Sequence, residues 1–207
     1  MSSFYLHAVN ANGDIRNIDN ALIDFEGILN TGAILTRRSQ GLVGFGFNGT
    51  RYVSLSDYDK RFNHVYKDDP SYYDYTGYEM YSTKTISIMI DKTKVKAIIP
   101  KLVEPIDFSF ISMMRMYGAA FDLIDRRMSD LPDEVQVKGN ILEDAFIGVT
   151  IPSEEIIKKI NPDKLRQVYQ RLKILLEKYK YNLSMYNVSD MILIESEEDI
   201  ESIIKRS

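Results

Sequence analysis

The segment Gly44-Phe45-Gly46-Phe47-Asn48-Gly49-Thr50-Arg51-Tyr52-Val53-Ser54-Leu55-Ser56 separates two classes of fold. Its first six residues spell the GxGxxG string of a dinucleotide-binding turn. That turn works only when a helix follows, because the helix N-terminus supplies the N–H groups that hold phosphate. Here Tyr52 to Ser56 follows instead, a β-type run in which Val53 and Leu55 alternate with Ser54 and Ser56. The glycines therefore read as a loop that leads into a strand, and the chain is not an alternating βα sequence.

The same alternation extends outward in both directions. Phe4 to Val9 reads as a strand, with His7 on the side of Tyr5 and Val9. Ile18, Ala21, Leu22, Phe25, Ile28 and Leu29 recur at helical spacing, with Asn17 as N-cap and Gly32 as C′ residue. Ala33 to Thr36 is a short strand that runs into Arg37 and Arg38. Thr85–Ile90, Val95–Ile99, Glu134–Val137 and Ala145–Ile151 read as further strands. Ser153 with Glu154 and Glu155 opens a short helix, and Ile106 to Met128 is expected to be mostly helical. Pro162 to Lys180 carries one apolar stripe of Leu165, Val168, Tyr169, Leu172, Leu175, Leu176 and Tyr179, opposite a basic face. Leu183–Tyr186 and Met191–Ile194 are expected as terminal strands, followed by an acidic patch at Glu195, Glu197, Glu198, Asp199 and Glu201 that leads into the tail. This order predicts an α+β fold. A single domain is expected over residues 1–207, with a core at 4–151 and a helix-and-strand extension at 152–207.

Composition narrows the chemistry. The chain has 207 residues, no cysteine and two histidines, His7 and His64. Disulfides, thiolate zinc sites and cysteine nucleophiles are excluded, and a multi-histidine metal site is not expected. The formal charge of −4 disfavours strong duplex binding as the main task. No apolar run reaches the roughly 18 residues of a membrane span, and the first residues do not read as a signal peptide. Of the 14 tyrosines, Tyr58, Tyr66, Tyr72, Tyr73, Tyr75, Tyr78 and Tyr81 fall in one aperiodic stretch, which reads as a long functional loop.

Strand alternation pairs the polar residues by face. Ser54 shares a face with Ser56, and Glu134 shares one with Gln136. If the two strands are neighbours, these polar faces line one cleft. Each pair taken singly is ordinary for the solvent side of an antiparallel sheet.

Taken in chain order, four blocks resemble the ADP-ribosyltransferase family, which includes diphtheria-toxin-like and poly-ADP-ribose-polymerase-like enzymes. The blocks are Tyr5-Leu6-His7, Gly27-Ile28-Leu29-Asn30-Thr31-Gly32-Ala33-Ile34-Leu35, Tyr52-Val53-Ser54-Leu55-Ser56 and Asp133-Glu134-Val135-Gln136-Val137. The resemblance covers about residues 4–151. It implies a mixed, mostly antiparallel two-sheet core with flanking helices. It also implies NAD as cofactor and transfer of ADP-ribose to a macromolecule, a protein in preference to a nucleic acid. Glu134 would be catalytic, with Gln136 beside it. His7, Ser54 and Ser56 would hold NAD, Tyr52 would stack on a ring, and Arg37 or Arg38 would pair the pyrophosphate. The family's arginine-modifying toxins carry Glu or Gln two positions before the catalytic Glu. Here that position is Pro132, and Gln136 lies two after. With the register shifted so that Gln136 takes the catalytic place, the chain would be a binder without a carboxylate. RNA 2′-phosphotransfer, NAD hydrolysis and non-enzymatic binding on the same scaffold remain alternatives. The expected protein is cytoplasmic, or delivered into a target cell's cytoplasm, has no membrane partner, and is a monomer or weak oligomer.

Overall fold

Residues 4–9, 18–36, 52–58, 85–98, 134–152, 157 and 161–206 are described by a computed structural model. Arg37, Arg38, the tyrosines from Tyr66 to Tyr81, the expected helix between Ile106 and Met128, and Ser153–Glu155 lie outside the described residues.

The elements run β1 (Phe4–Ala8), α1 (Ile18–Thr31), β2 (Ala33–Ile34), β3 (Tyr52–Asp57), β4 (Ser87–Asp91), β5 (Ala97–Ile98), β6 (Glu134–Lys138), β7 (Ile141–Leu142), a 3-10 turn (Glu143–Ala145), β8 (Phe146–Ile151), α2 (Pro162–Lys178), β9 (Ser184–Asn187), β10 (Leu193–Ile194) and α3 (Glu197–Arg206). Among the described residues, eight strands form one sheet in the order β10-β9-β8-β4-β1-β3-β6-β5, and β2 pairs with β7 in a separate ribbon. All neighbours are antiparallel except β8 and β9. The class is α+β, as the element order predicts, with its strands divided very unequally between the two sheets. The single parallel pair requires a long crossover, and α2 supplies it.

One face of the sheet carries the main core. Val9, Val53, Leu55, Ile88, Ile90, Val135, Val137, Val149 and Ile151 pack under α1, α2 and α3. Helix α1 buries Ile18, Ala21, Leu22, Phe25 and Leu29, five of the six residues that its periodicity selects, and the sixth, Ile28, is half-buried against them. It ends at Gly32, whose φ of +65° is the left-handed conformation of a C′ residue. A Cβ at Gly32 would lie 3.0 Å from a carboxylate oxygen of Glu143, the end of a flexible side chain, so it is the positive φ that calls for glycine there. The Glu143 N–H donates to the Gly32 carbonyl at 2.9 Å and ties the β7 turn to the end of α1. Helix α2 buries Leu165, Val168, Tyr169, Leu172, Leu175 and Leu176, with Asn161 capping its start through the Asp163 N–H.

The opposite face carries a smaller cluster of Phe4, Leu6, Met89, Val188 and Met191. A bulge at Met89/Ile90 sets Met89 against Gly148 and Ile90 against Phe146.

One feature differs from the sequence reading. The acidic segment after Ile194 is not a tail. It opens α3, whose Ile200 and Ile203 are buried in the main core. The residues beyond 161, in the expected extension, add β9 and β10 to the main sheet and two helices to its covered face.

Candidate functional site

Strands β3 and β6 are neighbours, and their register pairs Tyr52 with Lys138, Ser54 with Gln136 and Ser56 with Glu134. Residues directly opposite in an antiparallel pair have Cβ atoms about 5 Å apart and share a face. The six therefore form a polar ladder three rungs long on the face away from the three helices. Val53, Leu55, Val135 and Val137 point the other way into the main core, and their burial fixes the register. Ser56 is buried, whereas Tyr52, Ser54 and Gln136 are half-buried and Lys138 is exposed. The ladder thus opens at the Tyr52–Lys138 rung.

The ladder continues across the sheet. Leu6 lies opposite Ser56, and two residues on Ala8 reaches the level of Ser54. Ala8 pairs with Ser87, Ser87 with Thr150, and Thr150 with Tyr186. The row Gln136, Ser54, Ala8, Ser87, Thr150, Tyr186 is polar at each place but Ala8. Ser87 and Thr150 are both fully buried, and the Thr150 hydroxyl has no hydrogen-bond partner among the described residues. A hydroxyl without a partner at such a depth is costly.

His7 does not join this row. It pairs with Ile88, a residue of the main core, and so lies on the helix-covered face. Its imidazole reaches the strand that bears the ladder from behind. Nδ1 lies 3.2 Å from the Ser54 carbonyl oxygen. A carbonyl can only accept, so Nδ1 carries the proton and Nε2 keeps the lone pair of the neutral ring. Burial lowers the His7 pKa below the ordinary histidine value, and the bond to Ser54 opposes that shift in part. The expectation that His7 shares one ligand-facing surface with Ser54 and Glu134 is corrected here. Strand parity puts them on opposite faces, because His7 is abreast of Leu55 and not of Ser54 or Ser56.

The structure thus brings together Tyr52, Ser54, Ser56, Glu134 and Gln136, and sets His7 behind them. Arg37 and Arg38 lie beyond Thr36 and outside the described residues. Thr36 itself is held by its N–H donating to Asn140 Oδ1 at 2.9 Å. Lys138 was missed by the sequence reading, although its alternation with Glu134 and Gln136 places it on the same face. Among the described residues, no group of three His, Asp or Glu is placed to hold a metal ion, and no helix is long and apolar enough to cross a membrane. No family model, curated protein or solved structure matches the chain.

Chemically, the ladder offers hydroxyls, an amide and a phenol on a rigid strand pair, a cation at the open end and a carboxylate-bearing position at the closed end. A polar ligand with several hydroxyls and an anionic group fits that donor set.

Proposed function

We propose that the chain is an NAD-dependent mono-ADP-ribosyltransferase with its site on the β3–β6 ladder. The observation that carries this reading is the register that sets Ser56 opposite Glu134 and Ser54 opposite Gln136. Cleavage of the nicotinamide–ribose bond builds positive charge on the ribose, and a fixed carboxylate at that ring stabilises the charge as it develops. Glu134 is the carboxylate on the ladder, and a strand holds such a group more firmly than a loop would. In this reading Gln136 and Ser54 bond the hydroxyls of the nicotinamide ribose. Tyr52 offers a ring face at the open end, and Lys138 opposite it pairs the pyrophosphate. That last role was expected of Arg37 or Arg38. His7 acts as a positioning residue through the Ser54 carbonyl and does not touch the ribose. The acceptor is a macromolecule, with protein preferred.

The test is incubation with labelled NAD and a cell lysate, followed by mass spectrometry of the products. Modified protein supports transfer. Free ADP-ribose alone would replace transfer with hydrolysis, and modified RNA would change the acceptor. Glu134→Gln is expected to lower nicotinamide release about a hundredfold or more while the circular dichroism spectrum stays unchanged. Near-wild-type release by that variant would remove Glu134 from the mechanism.

A further inference from the structure

At the Tyr52–Lys138 rung the ladder continues onto the edge strand β5. Ala97 pairs with Val137 and Ile98 with Gln136, so Lys96, the residue before β5, stands at the level of Lys138. Ala97 packs on the main core, which holds Val137. Alternation then puts Lys96 on the opposite face, the face of Lys138 and Tyr52. Both lysines are exposed. The row across the open end of the ladder is thus Lys96, Lys138, Tyr52, two cations side by side and one ring.

Directly opposite residues have Cβ atoms about 5 Å apart, and like charges so placed destabilise a sheet. Among the described residues, neither lysine makes an ion pair or a side-chain hydrogen bond. Lys92, Lys164 and Lys178, by contrast, are each matched by a carboxylate, Asp57 at 2.5 Å, Asp19 at 2.6 Å and Glu26 at 2.7 Å. An edge strand commonly carries lysine to block pairing with another chain, and that accounts for Lys96. It does not account for Lys138, because β6 is an inner strand between β3 and β5. An anion held between the two side chains removes their repulsion and gains a bond from each.

The class of anion follows from what stands beside the pair. Tyr52 offers a ring face next to Lys138. Ser54 and Gln136 lie one level down the ladder, about 7 Å away along the strands. A diphosphate, a ring and ribose hydroxyls are the parts of a nucleotide. One pair of cations matches one diphosphate and not the repeating phosphates of a nucleic-acid strand, which the net charge of −4 also disfavours. We propose that Lys96 and Lys138 jointly clamp the diphosphate of a nucleotide at the open end of the ladder. This assignment rests on the NAD reading above, in which the diphosphate is that of NAD, and it adds Lys96 as the second cation of the clamp.

Calorimetric titration of the full chain with ADP, adenosine and inorganic pyrophosphate tests this. ADP should bind more tightly than adenosine or pyrophosphate, and added salt should weaken it. Lys96→Gln and Lys138→Gln should each raise the ADP dissociation constant about tenfold or more, the loss of one charge-assisted bond. Lys96→Arg and Lys138→Arg keep the charge and should keep most of the affinity. Lys173→Gln removes the same charge from the exposed side of α2, on the helical layer, and should leave ADP binding unchanged. A chain that does not bind ADP at about millimolar concentration, or binds it equally well without either lysine, would overturn the proposal. Adenosine or pyrophosphate binding as tightly as ADP, or a single-stranded RNA oligonucleotide binding more tightly through the same lysines, would do the same. Nicotinamide release by the same proteins separates the clamp from the transferase reading. NAD turnover with ADP affinity indifferent to both lysines removes the clamp alone. Lysine-dependent ADP binding without nicotinamide release removes the transferase and leaves the clamp.

Discussion

At the scale of single residues, His7 and Lys180 each carry a measurable consequence. Burial lowers the His7 pKa, so the folded state favours the neutral ring more than the unfolded chain does. Stability from this source is present above the unfolded value of 6.5 and is lost as pH falls through it toward the lowered folded value. Urea denaturation between pH 7.5 and 5.5 should therefore show stability falling on acidification, by at most about 1.4 kcal/mol per pH unit. His7→Asn should flatten that dependence, and an unchanged slope would show that another group titrates. Lys180 follows α2 with φ of 59°, and Lys180 N–H donates to Glu177 O while Tyr181 N–H donates to Leu176 O. This is the bonding of a glycine-type helix stop with a side chain in the left-handed position. Lys180→Gly should relieve about 1 kcal/mol and raise the melting temperature by about 2–4 °C; a lower melting temperature would contradict it. Neither position was legible in the sequence. His7 was read correctly as lying with Tyr5 and Val9, but which face of the sheet that was depended on β1 packing between β3 and β4.

At the scale of elements, local rules worked where burial and periodicity agreed. The stripe from Leu165 to Leu176 placed α2, and Phe25 with its neighbours placed α1 and its stop at Gly32. The failure was α3. Its start is a capping box, with Ser196 N–H and Oγ–H both donating to Asp199 Oδ2 and the Asp199 N–H close to Ser196 Oγ at 3.4 Å. Ile200, Ile203 and Ile204 sit at helical spacing, with acids in the first turn and Lys205 and Arg206 in the last. Those signals were present in the residues, and the run of acids obscured them. Arg166 of α2 then clamps α3 by two bonds to Glu201, at 2.5 and 2.8 Å. Ser196→Ala should cost about 1 kcal/mol, read as a lower denaturant midpoint. The donors around Asp199 hold its carboxyl below the ordinary range, so its contribution is present at neutral pH and fades as pH falls toward that lowered value. A Ser196→Ala variant with an unchanged midpoint would show that the Arg166–Glu201 clamp alone fixes the helix.

At the scale of the whole molecule, the α+β class followed from the order of elements, whereas the strand order did not. The β2–β7 ribbon and the parallel β8–β9 pair depend on contacts between distant segments, which no local pattern encodes. The polar ladder was half legible. Alternation gave the two polar faces, and only the register made them one surface. One property of the sheet bears on how the chain is made. The first strand in sequence, β1, lies inside the sheet, between β3 and β4. On a ribosome adding about 5–20 residues per second, β1 waits several seconds for β4 to be synthesised before both of its edges are covered. Until then Phe4 and Leu6 have no partner strand on that side, so the nascent chain is most open to chaperone capture and to misassociation while the segment from β1 to β4 is being made.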